Sequence, residues 1–142
     1  MKEPKFPLFV SLTGKKALIF GSGPVALRRG AALAEFGARV RFVSPGPEVR
    51  EYPWEHRCYR PGEITDAFLV LACTDDPDVN RAICAEARAK GIWANNASEH
   101  SDCDFFFPAL IRTEEFTIGI TGTGDHHGRV RELARTVREV VK

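Results

Sequence analysis

Lys16-Ala17-Leu18-Ile19-Phe20-Gly21-Ser22-Gly23-Pro24-Val25-Ala26 is the stretch that decides the fold of this 142-residue chain. Its first five residues are a short, mostly apolar run that stops at glycines, the pattern of a buried parallel strand entering a tight turn. Residues 24–36, rich in Ala and Leu, then close at Gly37. Pro inside the first helical turn and Gly just past the last is the asymmetry expected of helix ends. Arg39-Val40-Arg41-Phe42-Val43 alternates and halts at Ser44-Pro45-Gly46-Pro47. Strand, helix and strand thus fill the length that a βαβ unit needs.

Working outward, a short alternating piece at 56–59 reads as an outer strand. Ala67-Phe68-Leu69-Val70-Leu71-Ala72-Cys73 is uniformly apolar, as a central strand covered on both faces must be, and Asp76-Pro77 supplies an N-cap and a first-turn proline. Val79, Ile83 and Ala87 make one helical stripe ending at Gly91, and Ile92-Trp93-Ala94 reads as the next strand. Two apolar runs at 105–111 and 116–120, split by Arg112-Thr113-Glu114-Glu115, predict an antiparallel hairpin that extends the sheet. Val130, Leu133, Ala134, Val137, Val140 and Val141 share one face of a C-terminal helix, expected to pack on the sheet or to serve a homodimer. The expected architecture is α/β: a Rossmann-like, mainly parallel sheet with helices on both faces, plus a C-terminal β-hairpin and helix. One dinucleotide-binding domain is expected over residues 1–142, a length that buries roughly 70% of its unfolded surface in a single core.

Composition narrows the class. With 44% hydrophobic and 27% charged residues the chain reads as an ordinary globular protein. No apolar run approaches the roughly 20 residues of a membrane span. A net charge of +1 gives no general pull toward nucleic acid or a membrane, so anion binding has to be local. Met1-Lys2-Glu3-Pro4-Lys5 leads into a short, proline-interrupted apolar stretch without a cleavage pattern, so a cytoplasmic location is expected. Cys58, Cys73, Cys84 and Cys103 form no close pair and are expected to be reduced and mostly buried.

In G-x-G-x-x-A, Gly21 permits the turn, Gly23 admits a pyrophosphate to the backbone and Ala26 lets helix approach strand. The helix start adds free N–H groups and the positive end of a dipole. Gly21, Ser22, Gly23, Pro24 and Val25 are therefore the expected cofactor contacts, with Thr74 and Asp75 at the carboxyl end of the central strand. A conventional NAD site places Asp or Glu at the end of the second strand, where this chain has Ser44. Ser44 is suited to a ribose hydroxyl, and the residues leave NAD against NADP open. Arg28 and Arg29 read as a solvated helix face, with attraction of phosphate or propionate as the alternative.

Three blocks together resemble one family: Phe6-Pro7-Leu8-Phe9 before Gly14-Lys15-Lys16, the glycine loop with Arg28-Arg29, and Ala72-Cys73-Thr74-Asp75-Asp76-Pro77 continuing to Val79-Asn80-Arg81. Asn95-Asn96-Ala97-Ser98 and Cys103-Asp104-Phe105-Phe106-Phe107-Pro108-Ala109 are similar to the substrate-side segment of the same family. The chain resembles precorrin-2 dehydrogenase, the NAD-dependent domain of siroheme synthase. The resemblance implies NAD as cofactor, a tetrapyrrole substrate and oxidation of precorrin-2 to sirohydrochlorin; some members also insert ferrous iron.

Three departures from that pattern shape the expected site. Where many members carry Asp this chain has Ser98, so the base is sought at Asp102 first, then Asp104 and His100, a carboxylate being a common choice. Thr121-Gly122-Thr123-Gly124-Asp125-His126-His127-Gly128 replaces a Ser/Gly-rich turn; it precedes a helix and suits an anion, and its adjacent histidines lack a third ligand for a metal. The family continues into a helical dimerisation region, so the macrocycle cleft is expected to be incomplete within these residues. Ser98 and that region motivate the alternative, a non-catalytic Rossmann module binding nucleotide or tetrapyrrole as carrier or regulatory subunit. Asn80 is expected to orient a neighbouring loop.

Overall fold

The structure is a computed structural model describing residues 3–124 and 126–142; Met1, Lys2 and Asp125 lie outside the described residues. The backbone divides into two compact units, residues 10–106 and residues 1–9 with 107–142.

The larger unit is built on β1 (Lys16–Phe20), α1 (Pro24–Glu35), β2 (Arg39–Ser44), β3 (Trp54–His56), β4 (Leu69–Ala72), α2 (Pro77–Ala89) and β5 (Trp93–Asn96). Its five strands form one parallel sheet in the order β3-β2-β1-β4-β5. The order reverses direction at β1 and β4, the place where open α/β sheets bind ligands beyond their carboxyl ends. The outer strand lies at Trp54–His56, just before the expected 56–59.

Side-chain alternation assigns each helix a face. Ile19 and Phe42 are register partners on the face covered by α1. A Cβ on Gly30 would stand 2.7 Å from Phe42 Cζ and 2.8 Å from Ile19 Cδ1, so the closest helix-to-sheet approach is at Gly30. Ala26, expected to carry that approach, is buried one turn earlier. On the opposite face Phe20, Val43, Val70 and Ala72 pack with Ile83, Cys84 and Ala87 of α2. The Asp76 carboxylate caps α2 by accepting from the amides of Asp78 (2.9 Å) and Val79 (3.4 Å), as the sequence predicts.

At the far edge of this core, Glu86 of α2 accepts from the amides of Gly62 (2.7 Å) and Ile64 (2.8 Å), from Lys90 Nζ (3.0 Å) and from the Tyr59 hydroxyl. Burial opposes ionisation, but the hydrogen bonds led by Tyr59 and Gly62 outweigh it and bring the carboxyl down to about 2.

The smaller unit contains β6 (Ala109–Arg112), β7 (Thr117–Ile120) and α3 (His127–Val140). The expected hairpin is present, but it forms its own two-stranded antiparallel sheet instead of extending the parallel one. Residues 105–108, expected as strand, are irregular. α3 packs on β6, burying Ala134 and leaving Leu133 and Val140 exposed. None of the helices among the described residues is long and apolar enough to cross a membrane.

Of the four free cysteines only Cys84 is fully buried; Cys73 and Cys103 are half-buried and Cys58 is exposed, a looser arrangement than expected. Burial pushes the Cys73 thiol up to about 11 and the Cys84 thiol up to about 12, so both stay protonated near neutrality.

Candidate functional site

The glycine loop joins β1 to α1 at the carboxyl edge of the sheet. Gly21 has φ of 109°, and a Cβ there would lie 2.1 Å from the Cys73 carbonyl oxygen at the end of β4. The loop is thus seated directly on the neighbouring strand, which only glycine permits. Gly23 is the N-cap of α1 with no side-chain cap, and a Cβ there would meet nothing within 4 Å. Pro24 has no amide proton, and the amides of Val25 and Ala26 open the helix. Open space in front of an uncapped helix N-terminus fits a pyrophosphate, so the residues present match the expected nucleotide.

Ser22 and Ser44 are both buried, with their hydroxyl oxygens 2.7 Å apart. The Ser22 hydroxyl donates to the Pro47 carbonyl (2.5 Å), while Ser44 Oγ accepts from the Gly46 amide (3.0 Å). Trp54 Nε1 donates to the Ser44 carbonyl (3.0 Å), and His56 Nε2 lies 2.8 Å from the Pro45 carbonyl oxygen. The structure therefore places both serines inside a latch that holds the turn after β2. Both hydroxyls are thereby bonded to partners inside the protein.

β5 sends its two asparagines to opposite faces, as period-two alternation requires. Asn95 accepts from Arg29 Nη1 (2.7 Å) and donates through its amide to the Phe105 carbonyl (2.9 Å). Arg29 is accordingly half-buried and bonded, while Arg28 is exposed. Asn96 faces the other way. Its Oδ1 accepts from the amide (3.0 Å) and hydroxyl (2.8 Å) of Ser98, and its Nδ2 donates to Asp102 Oδ2 (2.9 Å).

The loop after β5 is strapped to α2. Arg88 donates to Asp102 Oδ1 (2.6 Å) and Asp104 Oδ1 (3.1 Å), and the other Asp104 oxygen accepts from the Ala94 amide (2.9 Å). Each oxygen of Asp102 and Asp104 thus has a fixed donor. Ser98 and His100 are exposed in the same loop, and the His100 ring lies against Phe106 with centroids 4.7 Å apart.

Thr74, at the end of β4, is held by the fully buried Asn80. Asn80 Oδ1 accepts from the Thr74 amide (2.9 Å) and hydroxyl (2.7 Å), and Nδ2 donates to the Thr74 carbonyl (3.1 Å) and to Ser98 Oγ (3.0 Å). Asp75 is exposed beside it. The structure thereby groups Gly21, Gly23, Thr74 and Asp75 at one edge, with Ser98 tied to the same edge through Asn80. Arg88 had no local signal in the sequence; its role appears only when the 96–104 loop folds back on α2.

In the smaller unit the 121–128 loop leads into α3, whose N-cap, His126, makes no side-chain cap bond; its Asp125 lies outside the described residues. No group of three or more His, Cys, Asp or Glu able to hold a metal occurs among the described residues. Two concave surfaces, of 790 Å³ and 490 Å³, lie elsewhere: the first over β1–β3 beside Arg41 and Trp54, the second beside Asp66 and Gly91.

A parallel sheet with a glycine-rich strand-to-helix turn at its switch point defines a Rossmann-type dinucleotide-binding protein. The NAD_binding_7 family model, described as "Putative NAD(P)-binding", matches residues 8–109, and the chain belongs to that family. It is 33% identical to the probable multifunctional siroheme biosynthesis protein HemA of Ruminiclostridium josui, over 96% of this chain and 28% of that protein. It is 34% identical to a siroheme synthase of Ectopseudomonas mendocina, over 96% of this chain and 30% of that protein. The chain therefore spans less than a third of the length of these curated relatives. Among solved structures, SirC, a precorrin-2 dehydrogenase, has the same fold: TM-score 0.79 over 95% of this chain and 70% of that one, at 18% identity.

Proposed function

We propose that this chain carries out NAD-dependent dehydrogenation of precorrin-2 to sirohydrochlorin, as the nucleotide-binding part of siroheme biosynthesis. The observation that carries the reading is the open, uncapped helix start at Gly23 beside a Gly21 seated on the end of β4. The siroheme names of relatives aligned over 96% of the chain supply the substrate class. Gly21, Ser22, Gly23, Pro24 and Val25 shape the cradle for the pyrophosphate, Ser44 positions the turn after β2, and Thr74 and Asp75 stand at the same edge. The nucleotide supplies the hydride acceptor. On the substrate side Asp102 and Asp104 hold the loop through Arg88, and the leaving proton goes to His100, exposed in the same loop.

Residues 1–142 act in this proposal as one functional domain in the cytoplasm, without nucleic-acid or membrane partners. The exposed Leu133 and Val140 of α3 support a homodimer.

The second reading is the non-catalytic nucleotide- or tetrapyrrole-binding module, favoured by the commitment of both loop aspartates to Arg88. Anaerobic incubation with precorrin-2 and NAD⁺ or NADP⁺, following sirohydrochlorin absorbance and reduced nucleotide, separates the two. Turnover that His100→Ala abolishes supports the enzyme and its base. Nucleotide binding without turnover moves the assignment to the module.

A further inference from the structure

The polar contacts form one continuous relay from the nucleotide edge to the substrate-side loop, and Asn80 is its junction. Its carbonyl arm takes both donors of Thr74, the residue that follows the Cys73 carbonyl on which Gly21 is seated, and its amide arm reaches the Thr74 carbonyl and Ser98. From Ser98 the relay continues through Asn96 and Asp102 to Arg88. Asn80 and Arg88 lie eight positions apart on α2, about 12 Å along its axis, so one rigid helix fixes both ends of the loop.

We propose that Asn80 is a positioning residue that sets nucleotide affinity through Thr74 and the placement of the Ser98 loop through its amide. This rests on the dinucleotide-site reading above. Substitution affects its two arms differently. Asp in its place keeps an acceptor for the Thr74 amide and hydroxyl but loses the donor to both the Thr74 carbonyl and Ser98. Ala removes both arms and leaves buried donors without partners.

The test is NAD⁺ titration calorimetry and precorrin-2 turnover on the whole chain. Asn80→Ala is expected to raise the NAD⁺ Kd about tenfold, the scale of one lost buried hydrogen-bond set. Asn80→Asp, which loses the donor to the Thr74 carbonyl, is expected to raise it about threefold. Ser98→Ala should leave the Kd unchanged but share with Asn80→Asp a lowered kcat. A merely structural asparagine would shift the melting temperature of both Asn80 variants and the Kd of neither, and that result overturns the proposal. So does full kcat in Asn80→Asp and Ser98→Ala, which decides the matter should Asn80→Ala not fold. A parent chain that binds no nucleotide refutes the dinucleotide site itself, a different failure.

Discussion

Adding one methyl group at Gly23 separates the binding role of the glycine loop from its folding role. A Cβ at Gly23 meets nothing within 4 Å and the residue has φ of −74°, so the folded chain accepts alanine without strain. Alanine is a poorer N-cap than glycine by about 0.5–1 kcal/mol, which in a chain of this size lowers Tm by about 1–4 °C. The same methyl occupies the space in which a phosphate oxygen would meet the helix amides. Losing one charge-assisted hydrogen bond costs about 1.5–3 kcal/mol, so the NAD⁺ Kd is expected to rise about 10- to 150-fold. Gly21→Ala reverses the balance. Its Cβ would stand 2.1 Å from the Cys73 carbonyl oxygen at φ of 109°, so strand ends have to move. Backbone strain alone costs about 1–3 kcal/mol before that displacement, and Tm is expected to fall by about 6 °C or more. Calorimetric titration with NAD⁺ and thermal melts of the three proteins read both quantities. A Gly23→Ala chain that binds NAD⁺ as tightly as the parent, or a Gly21→Ala chain as stable as the parent, refutes the assignment.

Three further expectations follow from packing and charge. The Glu86 carboxyl sits at about 2 when folded against an ordinary 4.5, so its contribution is full above pH 4.5 and is lost as pH falls toward 2. That difference corresponds to at most about 3 kcal/mol, and urea midpoints between pH 5 and 2.5 should fall less steeply in Glu86→Gln than in the parent; parallel slopes would count against it. Gly30→Ala gains about 1 kcal/mol of helix propensity but forces a methyl onto the fully buried Phe42 and Ile19, costing about 1–3 kcal/mol, so its melting temperature should drop and a rise would disprove the tight packing. Arg88→Gln releases the two loop aspartates; because all three side chains are partly exposed the loss is about 1 kcal/mol, and limited proteolysis should cut the 98–104 segment faster than in the parent.

What sequence alone determined were the features whose cause is local. The strand at Lys16–Phe20, the helix opening at Pro24, the Asp76 cap and the glycine loop follow from periodicity, proline and glycine geometry and side-chain capping, all set within a few residues. The hairpin strands were legible on the same grounds, but not the sheet they join, because apolar alternation does not name its partner. The site divided along the same line. The backbone geometry at Gly21 and Gly23 has a local cause and could be read directly. Ser44 stands where a conventional site carries its acidic residue, and Asp102 and Asp104 follow a Ser98 that replaces the family's Asp, but nothing local to them names their hydrogen-bond partners. Their partners, Ser22 at 22 positions' distance and Arg88 at 14 and 16, come within hydrogen-bonding range only when the sheet is assembled. A buried or half-buried polar group must find a partner inside the protein, and which partner it finds is decided by tertiary packing.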